Sequence, residues 1–249
     1  MKKIKTLILS SVFSLSLVCV ASAGVHWGYE GAEGPEYWGD LAPEYAQCKI
    51  GKNQSPIDIQ EIHESSEKNP IKIHYEITAD ELVNNGHTIQ VSPKNADDYL
   101  TFKGEKYFLK QFHFHVPSEN TILKRSFPLE AHFVHATKEG KLLVLAVMFN
   151  EGEESKSFKQ ILSSIPEEHD KTVDVGEEID LDDMIPNTEH YYHFDGSLTT
   201  PPCSEGVTWI VLKDTKTIGK DQVEALAKIL KHHNNRPIQP LNDRKVDEN

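Results

Sequence analysis

Gln111-Phe112-His113-Phe114-His115-Val116 is the stretch whose reading decides the fold. Aromatic and β-branched residues dominate it, and apolar and polar side chains alternate, which predicts a β-strand. A strand points successive side chains to opposite faces, so His113 and His115 share one face and Phe112 and Phe114 the other. Two imidazoles about 7 Å apart at Cα on a rigid pleat can converge on one metal ion. A His-x-His pair alone is a common chance pattern. A second stretch adds weight: Glu130-Ala131-His132-Phe133-Val134-His135 also alternates and puts Glu130, His132 and Val134 on one face. If the two strands are sheet neighbours, His132 completes a three-histidine set. Three imidazoles with one open position form the donor pattern of a catalytic zinc, whereas structural zinc sites close all four positions, usually with cysteine.

Outward from these two strands, further strand-like runs fall at 71–77, 88–92, 98–102, 106–116, 129–136, 141–149, 191–194 and 207–213, with turn signals between most of them. Gln54-Ser55-Pro56-Ile57-Asp58-Ile59 leads into another. Helical spacing predicts two helices, over 155–163 and from Asp221 to Lys231, where Val223, Leu226, Ala227 and Leu230 line one face. Residues 24–56 are rich in Gly, Pro and aromatics and read as an irregular segment anchored on a core by its rings. The acidic run Asp174 to Asp183 reads as a solvated loop. There is no repeat, low-complexity tract or linker. The expected class is mainly β with short helices (α+β) in a single domain.

Residues 1–23 read as a signal peptide: Lys2, Lys3 and Lys5, an apolar run from Leu7 to Val20, then Ala21-Ser22-Ala23 as a cleavage site. The apolar run is too short to span a bilayer comfortably, and Val18 before Cys19 is too large for a lipoprotein signal. The mature domain is then 24–249, in the periplasm or secreted. Without the leader's three lysines, 23 basic residues face 39 acidic ones, a net charge of −16. That acidity argues against nucleic acid and against anionic membrane surfaces. Two cysteines remain, Cys48 and Cys203. An even count in an oxidising compartment predicts one disulfide; the alternative is two buried thiols.

The assembled motifs resemble an α-class carbonic anhydrase of the exported bacterial type. The resemblance rests on His26-Trp27-Gly28-Tyr29, Gly34-Pro35-Glu36-Tyr37-Trp38, Asn53-Gln54-Ser55-Pro56-Ile57, Asn84-Asn85-Gly86-His87 and Gln111 to His115 with Ser118-Glu119. Glu130 to His135, Gly196-Ser197-Leu198-Thr199-Thr200-Pro201-Pro202-Cys203, and Asn235-Arg236-Pro237 with Gln239-Pro240 complete it. Together they cover essentially the whole mature chain.

The resemblance implies a central, mostly antiparallel twisted sheet of about ten strands with Zn2+ at the base of a conical cleft. It implies reversible hydration of CO2 to bicarbonate and a proton by attack of zinc-bound hydroxide. His113, His115 and His132 are then the zinc ligands. Gln111 and Glu130 each orient a histidine two positions on, and a backbone carbonyl near Asn234 serves His115. Thr199 is the gatekeeper donating to Glu119, and Thr200 lies near bicarbonate. Val134, Val144, Leu198, Val207 and Trp209 form an apolar wall suited to CO2, though such residues are ordinary core elsewhere. His87 stands at the proton-shuttle position, with Tyr29, Asn85 and Gln90 along the water path. Gln90 departs from the Asn often found there. His193 and Asp195 fall outside the pattern and receive no role. His135 faces away from His132 and reads as a satisfied core histidine, while His232 and His233 end a helix, where cations suit the dipole. Sulfonamide and anion inhibitors are expected; the sequence leaves the oligomeric state open, with a homodimer among the states the resemblance allows. The rivals are a non-catalytic carbonic anhydrase-like zinc-binding domain and an esterase-type zinc hydrolase. All three ligands, Glu119 and Thr199 are present, which disfavours the first, and the small apolar wall disfavours the second.

Overall fold

The computed structural model describes residues 25–249 except 66–68, 76–79, 95–96, 167 and 176–178. The expected signal peptide, 1–23, lies outside the described residues, as do positions 76 and 77 of the strand run 71–77.

Seven strands carry the centre of the fold: β1 (Asp80–Asn84), β2 (Ile89–Pro93), β3 (Glu105–His115), β4 (Leu129–Ala136), β5 (Leu142–Glu151), β6 (Tyr191–Ser197) and β7 (Glu205–Leu212). Their order is β1-β2-β3-β4-β5-β7-β6. Thr172–Asp174 extends the β1 edge, and Val246–Glu248 then Ile62–Glu64 extend the β6 edge, giving ten strands along one path. Three more short strands bring the sheet to thirteen among the described residues. Most pairings are antiparallel; β5 with β7 is a parallel exception. The expected mainly antiparallel sheet of about ten strands is therefore present.

The sheet is buried on both sides of its centre. Phe112, Phe114 and Phe133 point to one face, where they pack with Leu145, Val147 and Phe149. Two helices cover that face, α1 (Lys156–Ser164) and α2 (Lys220–Leu230), through Phe158, Ile161, Leu226 and Leu230. Ser155 caps α1 by accepting from the Phe158 amide, and Gln222 folds back to accept from the Gly219 amide at the start of α2. A fully buried ring such as Phe158 contributes about 2–3 kcal/mol of transfer free energy. The opposite face carries Val144, Ala146, Trp209 and Val211 and, beside them, the polar residues of the site.

Three expectations change. The segment 24–56 is not wholly irregular: Trp38–Leu41 and Gln47–Ile50 are helical turns, and Trp38 is fully buried with Trp27 and Tyr29 edge-on to it. The acidic run does not behave as a free loop at its ends. Asp174 closes a strand, Ile179 and Leu181 are buried, and Asp183 accepts from the Ser155 hydroxyl and the Ser157 amide. Short strands at 62–64, 80–84, 121–122, 172–174, 216–218 and 246–248 fall outside the predicted runs. Their strand state comes from backbone pairing, 121–122 with Asp58–Ile59 in a separate two-stranded sheet and the others with strands of the main sheet, which alternation within so few residues does not signal.

Candidate active site

β3 and β4 are neighbours, and their register sets His113 opposite His132, His115 opposite Glu130 and Gln111 opposite Val134. One ring nitrogen from each of His113, His115 and His132 lies within 4.8 Å of the others. The ring centroids stand 4.5–5.3 Å apart. Each histidine has an orienting partner on its other nitrogen. His113 Nδ1 donates to Gln111 Oε1 at 2.7 Å, and His115 Nδ1 donates to the Asn234 carbonyl at 2.7 Å. His132 Nε2 sits 2.9 Å from Glu130 Oε1, close in distance but off the line of a well-formed hydrogen bond. That leaves Nε2 of His113, Nε2 of His115 and Nδ1 of His132 as the inward-facing atoms.

The donor set fits a metal. His115 Nε2 is buried without a hydrogen-bond partner, an arrangement that costs free energy unless an ion takes the lone pair. Burial lowers the pKa of all three histidines, reinforced at His113 by His115 and His132 and at His132 by His115. They are thus neutral imidazoles, the form a metal needs.

Two buried carboxylates support the histidines. Glu130 Oε2 accepts from the Glu119 and Asn120 amides at 2.7 and 2.8 Å, and Oε1 accepts from Asn120 Nδ2 at 2.7 Å. Glu119 Oε1 accepts from the Arg236 amide at 2.8 Å. Its Oε2 faces His115 Nε2 at 3.4 Å and His132 Nδ1 at 3.9 Å and has no aligned donor. Burial pushes the Glu119 carboxyl up to about 8, while the Arg236 amide and the Thr199 hydroxyl draw it back down. Asn120, Asn234 and Arg236 are site residues whose side chains sequence reasoning left out. Asn234 donates from Nδ2 to the Phe114 and His87 carbonyls and accepts from the Val116 amide, tying the two sides of the site together. The Arg236 guanidinium is buried and donates to Gln54 Oε1 and to the Ser55 and Cys48 carbonyls.

The five expected wall residues meet. Val134 lies opposite Val144 and Val144 opposite Trp209 across β4, β5 and β7. Leu198 and Val207 pack in the same cluster. The Trp209 ring stands edge-on to His132 at 4.9 Å, and its N–H donates to the Ser197 carbonyl at 3.0 Å. A side chain at Gly196 would collide with the Ser55 hydroxyl and this indole, which accounts for the glycine. Thr199 is buried, and Thr200 borders a cavity of about 110 Å³ together with His113, His115, Gln111, Tyr29, Asn85, His87 and Gln90.

His87 is placed by an Asx-type turn. Asn85 Oδ1 accepts from the His87 and Thr88 amides at 3.0 and 2.9 Å, and Gly86 supplies a φ of +80°. Thr88 then locks the turn to β3 by donating to the Phe114 carbonyl at 2.7 Å. The His87 ring stacks on Trp27 at 3.7 Å and 8°. Its pKa is lowered, first by burial and then by His26 and His232. Gln90 turns to Ser92, donating to its hydroxyl at 3.2 Å.

Residues 33–249 match the family model for eukaryotic-type carbonic anhydrases. The chain belongs to that family. A carbonic anhydrase of Pectobacterium atrosepticum is 43% identical over 238 residues, spanning 96% of this chain and 95% of the relative. One of Neisseria gonorrhoeae is 44% identical over 240 residues, spanning 94% of each. The α-carbonic anhydrase of Thermovibrio ammonificans, solved with the inhibitor sulfanilamide, superposes with a TM-score of 0.86 at 46% identity, covering 90% of this chain and 99% of that one. The chain is thus a carbonic anhydrase with zinc as its cofactor, and the three-histidine group fits that zinc. The binding-domain rival is not favoured.

The remaining expectations resolve within this carbonic anhydrase. Cys48 and Cys203 form a disulfide across a separation of 155 residues, joining the Gln47–Ile50 turn to the loop after Thr199 and Thr200. His135 is buried and its Nε2 pairs with Tyr75 Oη at 2.6 Å, but its Nδ1 has only misaligned backbone neighbours. The core reading holds with one ring nitrogen partnered, not two. His193 faces Lys103 and Asp247 at the sheet edge, away from the histidine triad's cavity. His232 differs from expectation. Lys231 takes a φ of 65° after α2, so His232 turns back against Tyr29 and does not sit as a simple cap of the helix end. No helix among the described residues is long and apolar enough to cross a membrane.

Proposed function

We propose that His113, His115 and His132 hold zinc through the three inward nitrogens and that Glu119, Thr199 and His87 perform the hydration chemistry around it. The carrying observation is the unpartnered pair His115 Nε2 and Glu119 Oε2, buried side by side at 3.4 Å. Bound zinc supplies a Lewis acid that makes water a nucleophile at neutral pH.

Glu119 has Oε1 committed to the Arg236 amide, which leaves Oε2 to accept a hydrogen bond donated by the Thr199 hydroxyl. Thr199 Oγ1 is then fixed as an acceptor toward the attacking water, so that water presents a lone pair to the carbon of CO2. The wall of Val134, Val144, Leu198, Val207 and Trp209 offers CO2 an apolar seat with no competing hydrogen bonds. Thr200 borders the same cavity and is placed to meet bicarbonate. The released proton passes along the cavity lined by Tyr29, Asn85 and Gln90 to the His87 imidazole, whose lowered pKa favours prompt release to buffer. Gln111 and Glu130 hold ring orientation.

Residues 1–23 act as a cleaved signal peptide, so the mature domain is 24–249 and works in the periplasm or outside the cell. The disulfide supports that assignment, since such bonds persist in oxidising compartments. Sulfonamides and small anions compete at the metal position, in line with the sulfanilamide complex of the Thermovibrio ammonificans enzyme. A homodimer is one assembly the family resemblance allows, and sedimentation velocity reads it.

The test is CO2 hydration by wild type and Thr199→Ala with zinc measured on both. The proposal expects unchanged zinc and a loss of about 100-fold in kcat/KM for the variant, the scale of removing one oriented transition-state contact. An undiminished variant overturns the gatekeeper role.

A further inference from the structure

The fold gathers imidazoles from separate segments around the Asn84-Asn85-Gly86-His87 turn, and only His87 has been given work. His26, from the N-terminal segment, has its ring 6.5 Å from that of His87 and its Nε2 3.4 Å from Glu33 Oε2. His169 Nδ1 lies 3.5 Å from where a Cβ on Gly86 would stand. His232, two residues beyond α2, lies 5.5 Å from the Tyr29 ring at 30°.

His232 has the geometry of a proton holder. Its Nε2 is 3.3 Å from the Gly86 carbonyl and its Nδ1 3.1 Å from the His233 carbonyl. Both neighbours are acceptors. The neutral ring can donate to only one, whereas the imidazolium donates to both. The ring is half-buried, open to solvent on one side and packed on Tyr29 on the other. Tyr29 borders the cavity that holds His113 and His115. His232 therefore stands one ring away from the cavity, across Tyr29, and is itself partly open to bulk water. The titratable groups set against it are Tyr29, packed on its ring, and His87, with Lys231 and His233 as chain neighbours; His26 and Asp170 act on His87, and His169 lies by Gly86.

We propose that His232 is a second proton-transfer group, taking protons from the cavity past Tyr29 in parallel with His87. The inference rests on the hydratase reading above, in which each turnover exports a proton.

The experiment is stopped-flow CO2 hydration in dilute and in concentrated buffer, with zinc content, for wild type, His87→Ala, His232→Gln and the double variant. Glutamine keeps polar reach toward the carbonyls but cannot carry the proton. Expected is that His232→Gln keeps its zinc and kcat/KM while the double variant falls a further three-fold or more (about that scale for a partial acid–base contribution) below His87→Ala in dilute-buffer kcat. Added imidazole should restore both. A double variant that matches His87→Ala overturns the proposal, because His232 then acts only through His87. So does a loss that imidazole leaves untouched or that appears in kcat/KM. A wild type without hydration activity is a separate failure: it removes the hydratase reading, and this inference with it.

Discussion

Replacing His135 with glutamine will flatten the acid side of the stability curve. His135 is fully buried on the face of β4 away from the site, and burial pushes its pKa down to about 3. The unfolded chain binds that proton near the ordinary value of about 6.5. Below pH 6.5 the unfolded state gains a proton that the folded state refuses, so stability present above that pH is lost as pH falls. Between pH 7 and pH 5 the loss from this one group is about 2 kcal/mol, growing to at most about 5 kcal/mol near the folded pKa. Glutamine does not titrate and still offers Tyr75 Oη a polar partner in place of Nε2. Other groups, the zinc ligands included, contribute the same proton linkage to both proteins, so the difference isolates His135. The assay is urea unfolding at intervals from pH 7 to pH 5, followed by tryptophan fluorescence. Wild type should lose about 2 kcal/mol more than the variant across that span. Parallel curves would refute the claim that His135 is held neutral by burial, whatever the variant's absolute stability.

Other predictions follow from the site. His115→Ala should lose both zinc and hydration activity, measured by metal analysis and stopped-flow on one sample; a fully active variant breaks the ligand assignment. Glu130→Gln keeps the volume but removes the charge that accepts from Asn120 and orients His132, so zinc affinity should fall about 10–100-fold in a chelator competition. Changing Cys48 and Cys203 together to serine should cost about 3–5 kcal/mol in denaturant unfolding, the scale for a loop of this length. An unchanged midpoint would show that the bond constrains little.

What the sequence made legible has a physical pattern. The triad could be read because its parts are local: His113 and His115 share a strand face by period, and Gln111 and Glu130 reach their histidines from two residues upstream. Only the adjacency of β3 and β4 had to be assumed, and the register His113–His132 supplies it. The two helices were legible for the same reason, since Leu226 and Leu230 recur at helical spacing and reach the core. The resemblance supplied the carbonyl near Asn234 that serves His115, but the side-chain roles of Asn234 and Arg236 were not legible. Their side-chain partners, the Val116 amide and Phe114 carbonyl for Asn234 and Gln54 for Arg236, lie 118, 120 and 182 residues away, and nothing in Asn234-Asn235-Arg236 announces a buried amide or a buried guanidinium. Asn120 hides similarly, because its task is to hold Glu130 across the chain's return. His232 was misjudged because a histidine at a helix end has a ready local explanation, and only the left-handed turn at Lys231 redirects it. The strand Val246–Glu248 is two-thirds acidic and has no pattern of its own; pairing with β6 and with Ile62–Glu64 makes it a strand.

Three histidines holding a zinc for CO2 hydration are the heart of this enzyme. Stopped-flow CO2 hydration by the mature protein, with zinc measured on the same sample and a sulfonamide added as control, tests this most directly. Fast turnover, abolished by the sulfonamide, with one zinc per chain is the expected result. Protein that carries no zinc, or carries it without turnover, contradicts it.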